Sequence, residues 1–148
     1  MRIVLQRVRS ASVSVDGREV ARIGQGLLAL VGFSAQETAP PLARMAERLV
    51  SLRLFDDGTG RLNRSLKDIH GELLLVPQVT LTASVAKGTR PSFHTAAPAE
   101  LARLLFARFV TDVQRIHPQV RMGQFQSHMV VALENDGPVT IILEEPLL

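Results

Sequence analysis

The sequence has no cysteine, no tryptophan and no tyrosine among its 148 residues, and each absence removes a class of function. Without cysteine there is no disulfide, zinc–thiolate centre, iron–sulfur cluster or thiol nucleophile, which suits a reducing compartment. Six phenylalanines are the whole aromatic complement. So few rings argue against a module that reads single strands by stacking on bases, and any RNA contact is expected at backbone or terminus. Long apolar runs are missing too: Leu27 to Phe33 and Leu73 to Pro77 fall far short of the ~20 residues needed to cross a bilayer. The start, Met1-Arg2-Ile3-Val4-Leu5-Gln6-Arg7, alternates and carries charge, unlike the basic tip and unbroken apolar stretch of a signal peptide. No membrane partner is expected, and the default location is cytoplasmic.

What is present is globular. Hydrophobic residues make up 46% and charged residues 21%, and the length fits one domain over residues 1–148. A chain of this size buries roughly 70% of its unfolded surface, so neither a disulfide nor a structural metal is required. Seventeen basic against fourteen acidic side chains give +3, and fifteen of the seventeen are arginine, the side chain best fitted to bidentate phosphate contact. Nucleic acid is therefore a permitted partner, although charge alone is better explained by a GC-biased or heat-adapted composition with a solvated basic surface.

Hydrophobic periodicity organises the chain into an α/β domain. Arg2 to Arg9 reads as a strand, and Ala11, Val13 and Val15 alternate with serines up to Asp16-Gly17, a hairpin signal returning through Glu19 to Ile23. Leu27 to Val31 reads as a buried strand. Pro40 and Pro41 then open a helix whose inner face holds Leu42, Met45, Ala46, Leu49 and Val50. Asp56 to Gly60 is a turn, Glu72 to Val76 an interior strand, and Gln78 to Phe93 an irregular polar segment. A second helix is predicted from Pro98, with Ala102, Leu105, Phe106, Phe109, Val113 and Ile116 on one face. Strands Met129 to Leu133 and Val139 to Leu143 flank a turn at Asn135-Asp136-Gly137-Pro138. The expected order is four strands, helix, strand, long loop, helix and a closing group of strands: a single mixed domain with a largely antiparallel, partly barrel-like sheet and two main helices.

Familiar chemical motifs fail. Gly24-Gln25-Gly26-Leu27-Leu28-Ala29 matches a dinucleotide fingerprint on paper but opens a strand, whereas that fingerprint must open a helix. Lys87-Gly88-Thr89 lacks the preceding glycine of a phosphate loop. His70, His94, His117 and His128 show no metal-ligand spacing, so no metal site is expected. No G-x-S-x-G elbow is present.

Two polar strings, each beside an apolar strand, remain: Pro77-Gln78-Val79-Thr80-Leu81 with Lys87-Gly88-Thr89-Arg90-Pro91-Ser92-Phe93, and Asn135-Asp136-Gly137-Pro138-Val139-Thr140. With Arg2 to Val8, Leu52-Arg53-Leu54-Phe55, Asn63, Ser65, Lys67-Asp68, Gly123, Phe125 and Met129, they resemble the D-aminoacyl-tRNA deacylases, formerly D-tyrosyl-tRNA deacylases, along almost the entire chain. The resemblance implies a cofactor-free homodimeric hydrolase that cleaves the ester between a D-amino acid, or glycine, and tRNA. It also implies that a Gly-cis-Pro pair, here Gly137-Pro138, enters the neighbouring subunit's site and rejects L-amino acids. Gln78, Val79 and Thr80 fall at the ester-binding motif, where backbone amides at Gln78 and Val79 are expected to receive a developing oxyanion. Thr80 is read as auxiliary, because a free threonine is a poor nucleophile. Arg7 is a candidate brace for the Gly137-Pro138 loop, with Met129, Asn135 and Thr140 in support; Lys87, Arg90 and Phe93 are candidates to meet tRNA.

The chain departs from the family pattern at two places. The usual Ser-Gln-Phe-Thr-Leu is Pro77-Gln78-Val79-Thr80-Leu81, and a sister branch with Pro-Gln-Ala-Thr-Leu edits L-alanyl-tRNA. Where Gly-Ala is usual, Gln126-Ser127 stands, followed by His128, with bulk that can narrow a pocket or change its polarity. Two further readings are therefore carried: an editor of glycyl- or L-alanyl-tRNA, and a non-catalytic tRNA-binding paralogue.

Overall fold

The computed structural model describes residues 1–36 and 39–145. The first strand, β1 (Arg2–Val15), turns at Asp16 and Gly17 into β2 (Arg18–Ile23), and β3 (Gly26–Gly32) follows. Both turn residues have positive φ, 50° and 75°, the geometry that matches the right-handed twist of a hairpin. Helix α1 (Ala39–Ser51) leads into the small hairpin β4 (Arg53–Asp56) and β5 (Leu62–Ser65), then β6 (Glu72–Pro77) and a 3-10 turn over Val79–Thr82. Helix α2 (Ala99–Ile116), β7 (Val120–Met122) and the long β8 (Val130–Glu144) complete the chain.

The main sheet runs β2-β1-β3-β6-β7, with β8 on the other side of β1. Pairs around β1 are antiparallel. The pairs β3–β6 and β6–β7 are parallel, so the sheet is more mixed than the sequence suggests. The strand β2 comes back close to β6 and β7, giving a nearly closed, barrel-like sheet. One face packs on the helices: Ile3, Leu5, Leu27, Ala29, Leu73 and Leu75 meet the predicted inner faces of α1 and α2. The other encloses Val8, Ala11, Val13, Ile23, Leu28, Leu74 and Val76.

Strand β1 is continuous, where sequence alternation suggests two strands. Along β1 the buried positions change parity, from Ile3 and Leu5 on the helix side to Val8, Ala11 and Val13 on the other. The register explains it. Val8 pairs with Asn135 and Ser10 with Glu134, so Arg9 is an extra residue, and one extra residue moves every later side chain to the opposite face. Strand β8 likewise follows β1 from Ser14↔Val130 to Arg2↔Glu144, joining the two closing strands expected from sequence into one. The short strands β4, β5 and β7 and the 3-10 turn have no counterpart in the elements expected from hydrophobic pattern. No helix is long and apolar enough to cross a membrane among the described residues.

Candidate functional site

A cleft of about 430 Å³ lies between the end of β6, the 3-10 turn, the start of α2 and residues 125–131. Val31, Phe33, Ala97, Ala99, Ala102 and Met129 give it apolar walls, and Gln78, Gln126, Ser127 and His128 supply polar side chains. None of the lining residues is Lys, Arg, Asp or Glu. Close packing fixes the floor: a Cβ on Gly32 would lie 2.8 Å from the Gln78 carbonyl oxygen and 3.0 Å from Leu81 Cβ. Glycine there allows β3 to pass directly under the turn.

The geometry corrects one expectation. Val31 pairs with Pro77, and the Gln78 amide donates to the Val31 carbonyl at 2.8 Å, continuing the ladder one residue beyond the strand. Gln78 N–H is therefore occupied and is not an oxyanion donor. The amides of Val79 and Thr80 come next, at the head of the 3-10 turn, where the first donors of a helical segment have no internal acceptor. Neither donates to a group among the described residues. The pair of open donors is thus shifted one residue from the sequence expectation. On the β7 side the Gly123 amide donates to the Leu75 carbonyl at 2.8 Å; the next rung of the parallel ladder needs an N–H at residue 77, which Pro77 lacks, so the pairing ends there. The Gln78 side-chain amide donates to the Thr80 hydroxyl. Val79 lines the cleft while 53% exposed; the Thr80 side chain is exposed and is not among the lining residues.

The second string is not an ordinary hairpin turn. Gln6 pairs with Thr140 and Val8 with Asn135, so the four residues Asp136–Val139 stand opposite the single residue Arg7 and are pushed out of the ladder. Arg7 anchors them: Nε donates to the Asp136 carbonyl at 2.7 Å and Nη1 to the Leu54 carbonyl of β4 at 2.6 Å. Asn135 closes the neck. Its side-chain oxygen accepts from Val139 N–H at 2.8 Å, and its amide donates to the Val139 carbonyl at 3.1 Å, Gln6 Oε1 at 3.2 Å and Thr140 Oγ1 at 3.3 Å. The Asp136 carboxylate lies 3.9 Å from Arg7 Nε and 3.6 Å from Arg9 Nε. The Gly137-Pro138 peptide is cis, and Gly137 has φ 151°. A Cβ there would meet Val139 N at 2.7 Å and Arg7 Nη2 at 3.2 Å, so only glycine fits. Neither Gly137 nor Pro138 lines the cleft of the same chain.

Other candidates separate. Met129 lines the cleft. Lys87, Arg90 and Phe93 do not; they are exposed on a loop held by mutual backbone hydrogen bonds between Ser84 and Ser92. Of the histidines, His128 lines the cleft, His94 Nδ1 sits 2.9 Å from Ser92 Oγ, and His117 is buried with Nε2 2.9 Å from the Gly71 carbonyl oxygen. Sequence reasoning missed Arg103. It hydrogen-bonds Gln126 Oε1 and lies 5.6 Å over the Phe125 ring, and Phe125 stacks at 6.4 Å on Phe106 of α2. Gln126 has φ 56°, a left-handed conformation that costs a non-glycine residue about 1–2 kcal/mol. The glycine usual at this position in the resembled family was a signal of that backbone.

Comparison with known proteins finds similarity along almost the whole chain. A family model described as D-Tyr-tRNA(Tyr) deacylase matches residues 4–144. The chain is 52% identical over 147 residues to a D-aminoacyl-tRNA deacylase of Chlorobaculum tepidum, covering 99% of this chain and 98% of that one. It is 53% identical over 144 residues to one from Stenotrophomonas maltophilia, covering 97% and 99%. Among solved structures, a c-Myc DNA unwinding element binding protein superposes with TM-score 0.94 at 37% identity, over 99% of this chain and all of that one. A probable eukaryotic D-amino acid tRNA deacylase shares the fold, with TM-score 0.84 at 20% identity over 96% and 97%.

Proposed function

Because the chain belongs to the D-Tyr-tRNA(Tyr) deacylase family, we propose that it hydrolyses the ester joining a D-amino acid, or glycine, to the terminal ribose of tRNA. One observation carries the reading: an uncharged cleft is lined by Val79, whose main-chain amide, like that of Thr80 next to it, is unengaged. An ester of this kind is already activated, so positioning and oxyanion stabilisation supply much of the acceleration. Water attacks the carbonyl carbon, the oxygen gains charge facing the Val79 and Thr80 amides, and the ester C–O bond breaks. The ribose oxygen leaves with a proton, and the free amino acid retains the water oxygen. The Thr80 hydroxyl is not needed as a nucleophile. It holds the Gln78 side chain and with it the turn.

Chiral selection is assigned to Gly137-Pro138, delivered into the cleft of a second copy in a homodimer. Three features favour this. The loop lies away from its own cleft, it is fastened at both ends by Arg7 and Asn135, and its strand, β8, pairs only with β1 among the described residues. Val130, Leu133 and Ile142 stand exposed along that edge, and a long edge with exposed apolar residues invites association.

Purified protein incubated with D-tyrosyl-tRNA and L-tyrosyl-tRNA is expected to release amino acid from the first and spare the second, and to sediment as a dimer. Equal release from both, or from neither, rejects the reading. Glycyl- and L-alanyl-tRNA in the same panel decide whether Pro77 marks the editor branch.

A further inference from the structure

The cleft has no charged lining residue, yet the proposed substrate enters it carrying a phosphodiester on its terminal nucleoside. The cations chosen from sequence, Lys87 and Arg90, stand on a separate loop. One cation is fastened to the cleft wall itself. Arg103 follows the lining residue Ala102 on α2, donates through Nη2 to Oε1 of the lining residue Gln126, and covers the ring of the lining residue Phe125 at 5.6 Å. Its side chain is 53% exposed, and that of Glu100, whose Oε1 lies 3.7 Å from Nη2, is 84% exposed. Such an exposed ion pair is weak and is readily exchanged for a better anion. Nε and Nη1 of Arg103 donate to no described residue. Gln126 adopts a left-handed backbone at φ 56°, which a glycine would take freely; what the glutamine side chain adds is the acceptor that orients Arg103.

Resting on the functional reading above, we propose that Arg103, oriented by Gln126 and stacked on Phe125, binds the 5′-phosphate of the substrate's terminal nucleoside. The neutral cleft takes the nucleoside and its ester, and the guanidinium at the rim takes the charge, a planar donor fork facing phosphate oxygens. Gln126 acts as the positioning residue.

Two hydrolysis-resistant analogues test this: 3′-deoxy-3′-(D-tyrosylamido)adenosine with and without a 5′-phosphate. In the wild type the phosphate is expected to lower Kd by about tenfold, the worth of one exposed charge-assisted contact. Arg103→Ala should reduce that gain to within about twofold, with Arg103→Lys and Gln126→Gly between the two. A wild type that binds neither analogue or ignores the phosphate overturns the proposal. A gain that survives in Arg103→Ala, or equal weakening of both analogues there, also overturns it. Should Arg103→Ala not fold, Arg103→Lys and Gln126→Gly carry the same comparison, and a full phosphate gain in both refutes it. Hydrolysis of D-tyrosyl-tRNA is measured in parallel. Hydrolysis without a phosphate gain sinks this inference alone, whereas a phosphate gain without hydrolysis sinks the functional reading alone.

Discussion

The two polar strings are built in opposite ways. The turn at Val79–Thr82 is an extension of the core: β6 runs out at Pro77, its ladder continues for one bond through Gln78, and the next two amides are left open beside a cleft. Bonds from other elements pin the rest of the turn and leave those two amides free: Arg2 Nη1 donates to the Leu81 carbonyl and Thr95 Oγ1 to the Thr82 carbonyl, each at 2.8 Å. The Asp136–Val139 loop is an extrusion from an edge ladder, and every bond that shapes it comes from Asn135 at its neck or from residues more than a hundred positions away, chiefly Arg7. A turn pinned to the core sheet suits a group that must receive charge without reorganising. A loop cross-braced at its base suits a rigid wedge presented outward, because its tip has no core of its own to pack against.

If the turn works through its main chain, removing one donor should cost more than any side-chain change there. Val79→Pro deletes that N–H and exchanges the cleft-lining isopropyl group for an apolar ring of similar size. Gln78 already has φ −142° and ψ 91°, which a following proline accepts, and a 3-10 segment accepts proline's φ. The expected loss in kcat is about 10²–10³-fold, as for deletion of one oxyanion donor, with little change in melting temperature. Thr80→Val, which keeps the amide and the β-branch, should stay within about threefold. A larger fall for Thr80→Val than for Val79→Pro, in single-turnover hydrolysis of D-tyrosyl-tRNA, would assign the chemistry to the hydroxyl instead.

The wedge should respond to its side-chain frame. Gly137→Ala places a Cβ 2.7 Å from Val139 N and 3.2 Å from Arg7 Nη2, so the loop must move. A shift of about 1 Å in a positioning group is enough for a ~10²-fold loss, expected here in the ratio of D- to L-tyrosyl-tRNA hydrolysis. The cleft, being elsewhere in the chain, should still bind the adenosine analogue. An unchanged ratio would detach the loop from selection.

How much of this division was legible in the sequence differs between the strings for the same physical reason. The hairpin at Asp16-Gly17, the buried strands β3 and β6 and the inner faces of both helices follow from local pattern, and the structure contains them. The identity of Gly137-Pro138 as a special dipeptide was legible through resemblance. The register slip that extrudes it was not, because an extra residue at Arg9 and the pairing of Gln6 with Thr140 are long-range facts without a composition signal. The same holds for Gln78, whose amide is consumed by a parallel partner 47 residues earlier, Val31. Arg103 was illegible because one arginine among fifteen carries no mark until α2 is laid beside residues 125 and 126.

Arg7→Ala tests the brace that ties the loop to β4. Its side chain is only 14% exposed, and its loss leaves the Leu54 and Asp136 carbonyls without their donor, at a cost of about 1.5–3 kcal/mol in stability. Arg7→Lys should not restore this, since one ammonium cannot reproduce a fork reaching two carbonyls. Denaturant midpoints and the D/L ratio should fall together; a destabilised protein with an intact ratio would show that Arg7 supports the fold without steering the loop.

The smallest expected effect lies outside both regions and separates stability from selection. Burial holds the His117 ring below the ordinary histidine value of 6.5, outweighing the Gly71 carbonyl contact that favours the charged form. The unfolded chain therefore binds a proton here before the folded chain does, as pH falls below about 6.5. Stability is full above that value and declines through the window down to the lower folded value. Asp57, held at about 2 by Thr59 and Asn63, titrates well below this window. Melting temperatures taken between pH of about 7.5 and 5 should fall for the wild type and run flatter for His117→Gln, which retains a donor for Gly71. The D/L ratio should stay constant across the same range, because His117 lies in the core and touches neither the turn nor the loop; a ratio that tracked the melting curve would mean that the wedge and the cleft soften together with the core.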